Sequence, residues 1–319
     1  MKRTLFILAF FLTTSLSFAQ HSVNQDVYRY IMVDGHQRFF SVHFPSNVDP
    51  SQPLPVVFAF HSATSDYQST VDFFNFNGLA NVNRIIMVYP NAMASTWSVP
   101  GLSSDKNTPG GAPDDVHFTS VLLDTLISDY NIDTNKVFAT GMSLGGIFTL
   151  YLASKLGNRL AAIAPVCASI SDTLAKDFWF PRPIPMLLIN GMEDPVLNYN
   201  GGMTSEFTQW NDHKDDGIMM GTEDLVDKVV KMDSCDVNPV VSDLPNTNLK
   251  DECSAVETVY TNNQHIVDFI AVVGGGHAWP GGPQYFSKEL IGRVCKDFNA
   301  EEKIMKFFLN VTGTKVLQE

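Results

Sequence analysis

The sequence predicts an α/β fold with a mainly parallel central sheet and helices on both of its faces. Three observations predict it. Short, uniformly apolar runs recur at residues 54–60, 85–89, 137–140, 161–166, 185–189 and 266–273, a composition that suits strands covered on both sides. Helical patterns fall between them. Strand and helix then alternate along most of the chain, which is the pattern of a parallel sheet built by crossovers.

The elements follow in order. Residues 27–45 alternate apolar and polar side chains, with Tyr28, Tyr30 and Met32 and then Phe40, Val42 and Phe44, as in a half-buried antiparallel pair turning near Asp34-Gly35. The run at 54–60 opens the parallel part. Asp115 is placed to cap a helix whose Phe118, Val121, Leu122, Leu126 and Tyr130 share one face. Residues 147–156 form a second helix and 300–309 a terminal one. Residues 203–263 interrupt the alternation and read as an excursion at the edge of the sheet. No internal repeat or low-complexity linker occurs, so residues 20–319 are expected to form a single domain.

The first residues read differently. Lys2 and Arg3 precede an apolar run at 5–12, and Ser17-Phe18-Ala19 follows. A basic start, a short apolar stretch and small residues describe a signal peptide, residues 1–19, since a spanning helix needs about 20 apolar residues. Cleavage is expected after Ala19 or Gln20, and the mature protein is expected to be secreted.

Apolar residues make up 45% of the chain and the formal net charge is −13. A sizeable core is therefore available, while nucleic acid and anionic membrane surfaces, which need clustered Lys or Arg, are excluded as partners. An exported protein can carry disulfides. Cys235 and Cys253 bracket a polar segment and are the expected pair. Cys167 and Cys295 are either a second pair or two buried thiols. Metal ligation is not expected, because no C-x-x-C spacing occurs. Asp212, Asp216, Gly217 and Glu223 fall at calcium-loop positions, but Lys214 at the third place would repel the ion.

Gly141-Met142-Ser143-Leu144-Gly145 is a G-x-S-x-G. Alone the pattern is weak, but here it follows a strand and opens a helix, the setting a nucleophile elbow requires. The turn is tight enough to need glycine on both sides. It lifts the Ser143 hydroxyl above the sheet and aims the Leu144 N–H at the place where an oxyanion would form. A serine needs a base, and the base needs an orienting acid. The strand at 185–189 leads to Asp194, with Glu193 as the neighbouring alternative. The last long strand ends in Gly274-Gly275-Gly276-His277, a histidine framed by glycines at a strand end. His61 also follows a strand, but it precedes the nucleophile, where the oxyanion loop belongs. His36, His43, His117, His213 and His265 are assigned no catalytic role.

These residues resemble the secreted polyhydroxybutyrate-depolymerase and feruloyl-esterase-like hydrolases, over residues 54–308. Gly141 to Gly146, Asp194-Pro195-Val196 with Gly201-Gly202, and Gly274 to Gly282 with its His-Ala-Trp-Pro-Gly-Gly carry the likeness. The resemblance implies an α/β-hydrolase fold and a Ser143–His277–Asp194 triad acting through an acyl-enzyme, without metal or organic cofactor. It also implies that the Ala63 N–H is the second oxyanion donor and that Trp279 faces the substrate. Two departures stand out. His61-Ser62-Ala63 replaces the usual His-Gly-Cys, and Leu144 replaces the Asn common after the nucleophile. The expected substrate is a feruloyl or acetyl ester of a polysaccharide or a short polyhydroxyalkanoate. The alternatives are a non-catalytic binding protein on a hydrolase scaffold and an acyltransferase.

Overall fold

The computed structural model describes residues 26–46, 49, 51–102, 112–203, 218–262 and 265–311. The expected signal peptide and the first half of the calcium-like loop, residues 212–217, lie outside these residues. The strands form one 10-stranded sheet in the order β1-β2-β4-β3-β5-β6-β7-β10-β9-β8. β1 (Val27–Val33) and β2 (His36–His43) make the expected hairpin. It turns at Asp34 and Gly35, whose φ angles of 51° and 78° are those of a tight two-residue hairpin turn.

The parallel part comprises β3 (Leu54–Phe60), β4 (Ile86–Pro90), β5 (Ile132–Met142), β6 (Ala162–Val166), β7 (Met186–Gly191) and β10 (Ile266–Val273). These are the apolar runs of the sequence, and nearly all their residues are buried. β3 lies between β4 and β5. The chain leaves β3 toward one edge and proceeds from β5 toward the other, so strand order reverses there. Ligands bind outside the carboxyl ends of strands at such a reversal.

Alternate residues of each strand feed two cores. Val56, Phe58 and Phe60 pack on one face with Phe118 and Leu122 of α3 (Asp115–Asp129) and Ile147 and Phe148 of α4 (Leu144–Leu156). Val57 and Ala59 pack on the other with Phe74 of α1 (Tyr67–Phe74), Phe76 of α2 (Phe76–Asn83) and Phe308 of the terminal helix Ala300–Val311.

Three expectations are corrected. The cap of α3 is Asp114, whose carboxylate accepts from the His117 N–H. Asp115 is instead buried, pairs with Arg38 of β2 and accepts from the Ser98 N–H at 2.7 Å. The region 203–263 is also more than an excursion. It supplies helix Thr222–Met232 and strands β8 (Val240–Asp243) and β9 (Ser254–Thr261), which extend the sheet antiparallel from β10.

The third correction concerns the cysteines, all four of which are free thiols. Cys235 belongs to the core on the Phe58 face and Cys253 to the core on the Val57 face. The sheet separates the pair expected to bond. Cys167 lies against the loop after β10, where its thiol donates to Ala278 O, and Cys295 packs against Cys253.

Candidate active site

Ser143 stands between the last residue of β5 and the first of α4, at φ 56° and ψ −125°. A side-chain-bearing residue at positive φ is costly, and here the turn is over-determined by packing. A Cβ on Gly141 would lie 2.6 Å from the Gly145 backbone, and one on Gly145 would run into the Phe60 carbonyl. Only glycine permits β3, β5 and α4 to approach this closely. The Ser143 N–H donates to the Val166 carbonyl at 3.0 Å. The Leu144 N–H begins the helix, among the first-turn donors that lack an intrahelical acceptor. Ser143 lines a cavity of about 400 Å³ that opens at the carboxyl end of the sheet.

His277 lines the same cavity. Its Nδ1 lies 2.7 Å from Asp194 Oδ2. A carboxylate can only accept, so Nδ1 carries the proton and Nε2 carries the lone pair. Asp194 Oδ1 accepts from the Val196 and Leu197 N–H groups at 2.7 and 2.8 Å, so both of its oxygens are engaged. Glu193, the neighbouring candidate, points outward and pairs with Arg293. The structure therefore brings Asp194, and not Glu193, to the histidine. The two loops are joined through backbone, since Glu193 N–H donates to Gly275 O at 2.9 Å. A Cβ on Gly191 would lie 2.5 Å from that same oxygen.

The histidine loop is pinned from several sides. His277 N–H donates to Ile291 O at 2.6 Å and Gly276 N–H to Arg293 O at 2.9 Å. The Tyr285 hydroxyl donates to His277 O at 2.7 Å, and the Cys167 thiol to Ala278 O at 3.3 Å. Burial and the nearby Asp194 carboxylate push the Cys167 thiol well above its ordinary range, so it stays a neutral donor. Sequence reasoning missed Tyr285 and Cys167 because neither belongs to the motif that names the histidine.

The loop after β3, which carries the expected oxyanion donor Ala63, is built around His61. The ring is buried, its Nε2 accepts from the Ala92 N–H at 2.9 Å, and its Nδ1 donates to the Ser62 carbonyl at 2.7 Å. That carbonyl belongs to the same trans peptide unit as the Ala63 N–H, and the two point in opposite directions. Holding the carbonyl toward His61 fixes the N–H away from it. Ala63 and Ser62 both line the cavity. Burial drives the His61 pKa down to about 4, so the ring stays neutral and keeps its acceptor nitrogen. Ser62 does not need glycine's freedom, since the positive φ of this loop falls on Thr64, at 57°. The Ser62 hydroxyl donates to Met142 O at 3.2 Å, tying the loop to the Ser143 turn.

Trp279 does not face the cavity. It is fully buried, stacks on Phe74 at 4.1 Å between ring centres, and donates from Nε1 to Glu301 at 2.9 Å. The cavity is lined instead by Phe73, Phe74, Tyr285, Phe286 and Leu290. Phe73 and Tyr285 meet edge to face at 5.3 Å. These residues come from α1 and from the segment after the histidine loop. Their ordinary apolar character gave no signal that they would converge.

The family model for esterases ("Putative esterase") matches residues 33–294. The chain belongs to this esterase family. Among its relatives, the bifunctional acetylxylan esterase/xylanase XynS20E of Neocallimastix patriciarum is 30% identical over 52% of this chain and 22% of its own length. Feruloyl esterase B of Piromyces equi is 25% identical over 74% of this chain and 42% of its own. The chain thus matches less than half the length of either relative. The acetyl xylan esterase structure from Aspergillus awamori aligns at a TM-score of 0.58 and 14% identity, over 88% of this chain and 98% of that one. This chain shares the α/β-hydrolase fold with it. No helix among the described residues is long and apolar enough to cross a membrane.

Proposed function

We propose that this esterase hydrolyses carboxylic esters through a Ser143–His277–Asp194 triad. The observation that carries the proposal is the shared cavity of Ser143 and His277 with the Asp194 carboxylate bonded to the far nitrogen of the imidazole. Ser143 Oγ attacks the ester carbonyl while His277 Nε2 takes its proton. The charge that develops on the carbonyl oxygen is met by the Leu144 and Ala63 N–H groups. His277 then protonates the leaving alcohol. Water, deprotonated by His277, attacks the acyl-enzyme and releases the acid. Asp194 holds the tautomer throughout and stabilises the imidazolium.

The acyl group is proposed to be aromatic, a hydroxycinnamoyl ester of a polysaccharide. The cavity wall of Phe73, Phe74, Tyr285 and Phe286 offers ring faces and edges to a planar acyl chain. The relative named as a feruloyl esterase supports the aromatic acyl group, and the one named as an acetylxylan esterase supports a polysaccharide as the alcohol part. The basic and apolar start of the chain supports export before action on such a polymer.

The test is a panel of methyl ferulate, acetylated xylan and a hydroxybutyrate oligomer, with Ser143→Ala as control. The expected result is methyl ferulate as the fastest substrate and no turnover by the variant. Equal turnover by Ser143→Ala overturns the mechanism. Preference for the aliphatic oligomer overturns the aromatic assignment alone. Absence of labelling by a fluorophosphonate would favour the non-catalytic reading, and ester products formed with an added acceptor alcohol would favour acyl transfer.

A further inference from the structure

Cys253 and Cys295 are both buried, at 4% and 2% exposure. Their sulfurs and a carboxylate oxygen of Asp251 all lie within 4.8 Å of one another; the Cys253 thiol donates to Asp251 O at 3.5 Å and the Cys295 thiol to Asp297 Oδ2 at 3.6 Å. The backbones on either side are held in register by carboxylates. Asp251 Oδ1 accepts from the Cys253 N–H at 2.9 Å, and Asp251 Oδ2 from the Lys296 N–H at 2.6 Å. Asp297 Oδ1 accepts from the Thr247 and Asn248 N–H groups at 2.7 and 2.8 Å. Each cysteine segment is thus clamped to the other independently of any bond between the sulfurs. Both oxygens of Asp251 are already committed to N–H donors, which favours a bond between the thiols over ligation of a metal by this trio.

The geometry points to a disulfide between Cys253 and Cys295, joining the chain just before β9 to the segment just ahead of the terminal helix. The acceptor is a disulfide, either a small molecule or a thiol oxidoreductase. Cys253, once deprotonated, is the attacking thiolate. It attacks one acceptor sulfur and expels the other as a thiolate. Cys295, losing its proton, then attacks the Cys253 sulfur of the mixed disulfide and releases the second thiolate. Two protein thiols are oxidised, and one acceptor disulfide is reduced to two thiols. The bond would staple the segment that holds the histidine loop, since Arg293 O accepts from Gly276 N–H and Cys295 O accepts from Gly281 N–H. It does not depend on the ester-hydrolysis reading, and ester turnover measured in parallel keeps the two separate.

The test incubates the reduced full-length chain in a glutathione/glutathione-disulfide buffer, blocks the remaining thiols with iodoacetamide after denaturation, and maps peptides without reduction. The expected result is a Cys253 peptide joined to a Cys295 peptide, with Cys167 and Cys235 alkylated. Reduction should lower Tm by about 5–10 °C, a shift absent from the Cys253→Ser/Cys295→Ser variant. Full alkylation of Cys253, its recovery with Cys235 or Cys167, or a Tm unmoved by reduction in the unmutated chain would overturn the assignment. Should the double variant fail to fold, the peptide map of the unmutated chain decides alone.

Discussion

His61 and His277 both follow the carboxyl end of a strand, β3 and β10, and both are buried. What separates them is the set of groups around each ring. His61 is bonded on both nitrogens to backbone, one as acceptor and one as donor. Nothing remains for chemistry, and burial keeps it neutral. His277 has one nitrogen bonded to a carboxylate and its ring on the cavity with Ser143. The comparison teaches that a histidine at a strand end is suited to the role of base proposed for His277 when a carboxylate engages one nitrogen and the ring borders a cavity shared with a serine. With two backbone partners it becomes a structural peg instead.

The largest effects should come from breaking the His277 side. His277→Ala or Ser143→Ala should lower kcat/KM by about 10⁴-fold or more, measured on methyl ferulate. Asp194→Asn should cost about 10³–10⁴-fold, because a neutral amide neither stabilises the imidazolium nor enforces the tautomer. Glu193→Gln, one residue away and exposed, should change the rate by less than about 2-fold. A large loss at Glu193 with little at Asp194 would reverse the assignment of the acid.

Breaking the His61 side should cost less in rate and more in stability. His61→Ala frees the Ser62 carbonyl and leaves the Ala92 N–H without its acceptor. The expected kcat loss is about 10²-fold, the scale of one misplaced oxyanion donor, with a stability loss of about 2–4 kcal/mol from the buried unpaired groups and cavity. Paired kinetics and denaturant unfolding separate the two contributions. The pH dependence has a defined sign. The His61 pKa falls from 6.5 unfolded to about 4 folded, so its stability contribution is complete above pH 6.5 and is lost as pH falls toward 4.

The two histidines also mark how far the sequence could be read. The apolar runs gave the parallel strands because burial on both faces leaves a local signature, and the glycine-framed Ser143 and His277 announced themselves by backbone need. Asp194 was legible together with Glu193, and only the fold chose between adjacent carboxylates by turning one inward. The contacts that pin the site were not legible. Tyr285, Cys167 and Phe73 reach the histidine loop and cavity from distant segments, and none carries a local pattern. Trp279 illustrates the converse, since adjacency to His277 in sequence put it near the loop but on the buried side, against Phe74 and Glu301. The cysteine pairing failed for the same reason, because spacing along the chain does not reveal which face of the sheet a thiol occupies.

A third buried titratable group sharpens the comparison. Asp268 of β10 has an oxygen without a hydrogen-bond partner. Its pKa rises to about 7, through burial first and then the neighbouring Glu257, with Lys303 acting in the opposite sense. The folded state binds its proton more tightly than the unfolded chain, so this group's contribution falls as pH rises from about 4 to 7 and stays low above that. The slope opposes that of His61 over much of the same range. Asp268→Asn should raise stability at pH 8 by about 1–3 kcal/mol and remove that falling component, read by urea unfolding across pH 4–8. An unchanged slope would show that Asp268 is ionised and compensated in the folded state.

The smallest expected effect tests whether the departure at Ser62 matters. The Ser62 hydroxyl joins the oxyanion loop to Met142 O at 3.2 Å, one bond added to a loop already held by His61. Ser62→Ala should cost about 0.5–1.5 kcal/mol of stability and less than about 3-fold in kcat/KM. Ser62→Gly installs the residue that the family resemblance leads one to expect here, yet it should be the worse of the two. The backbone at Ser62 is not at positive φ, so glycine gains no conformational relief there and adds about 0.4–1 kcal/mol of unfolded-state entropy. An increase in rate or stability on Ser62→Gly would mean that the serine bends the loop away from its best geometry, and that His61 does not by itself set the direction of the Ala63 N–H.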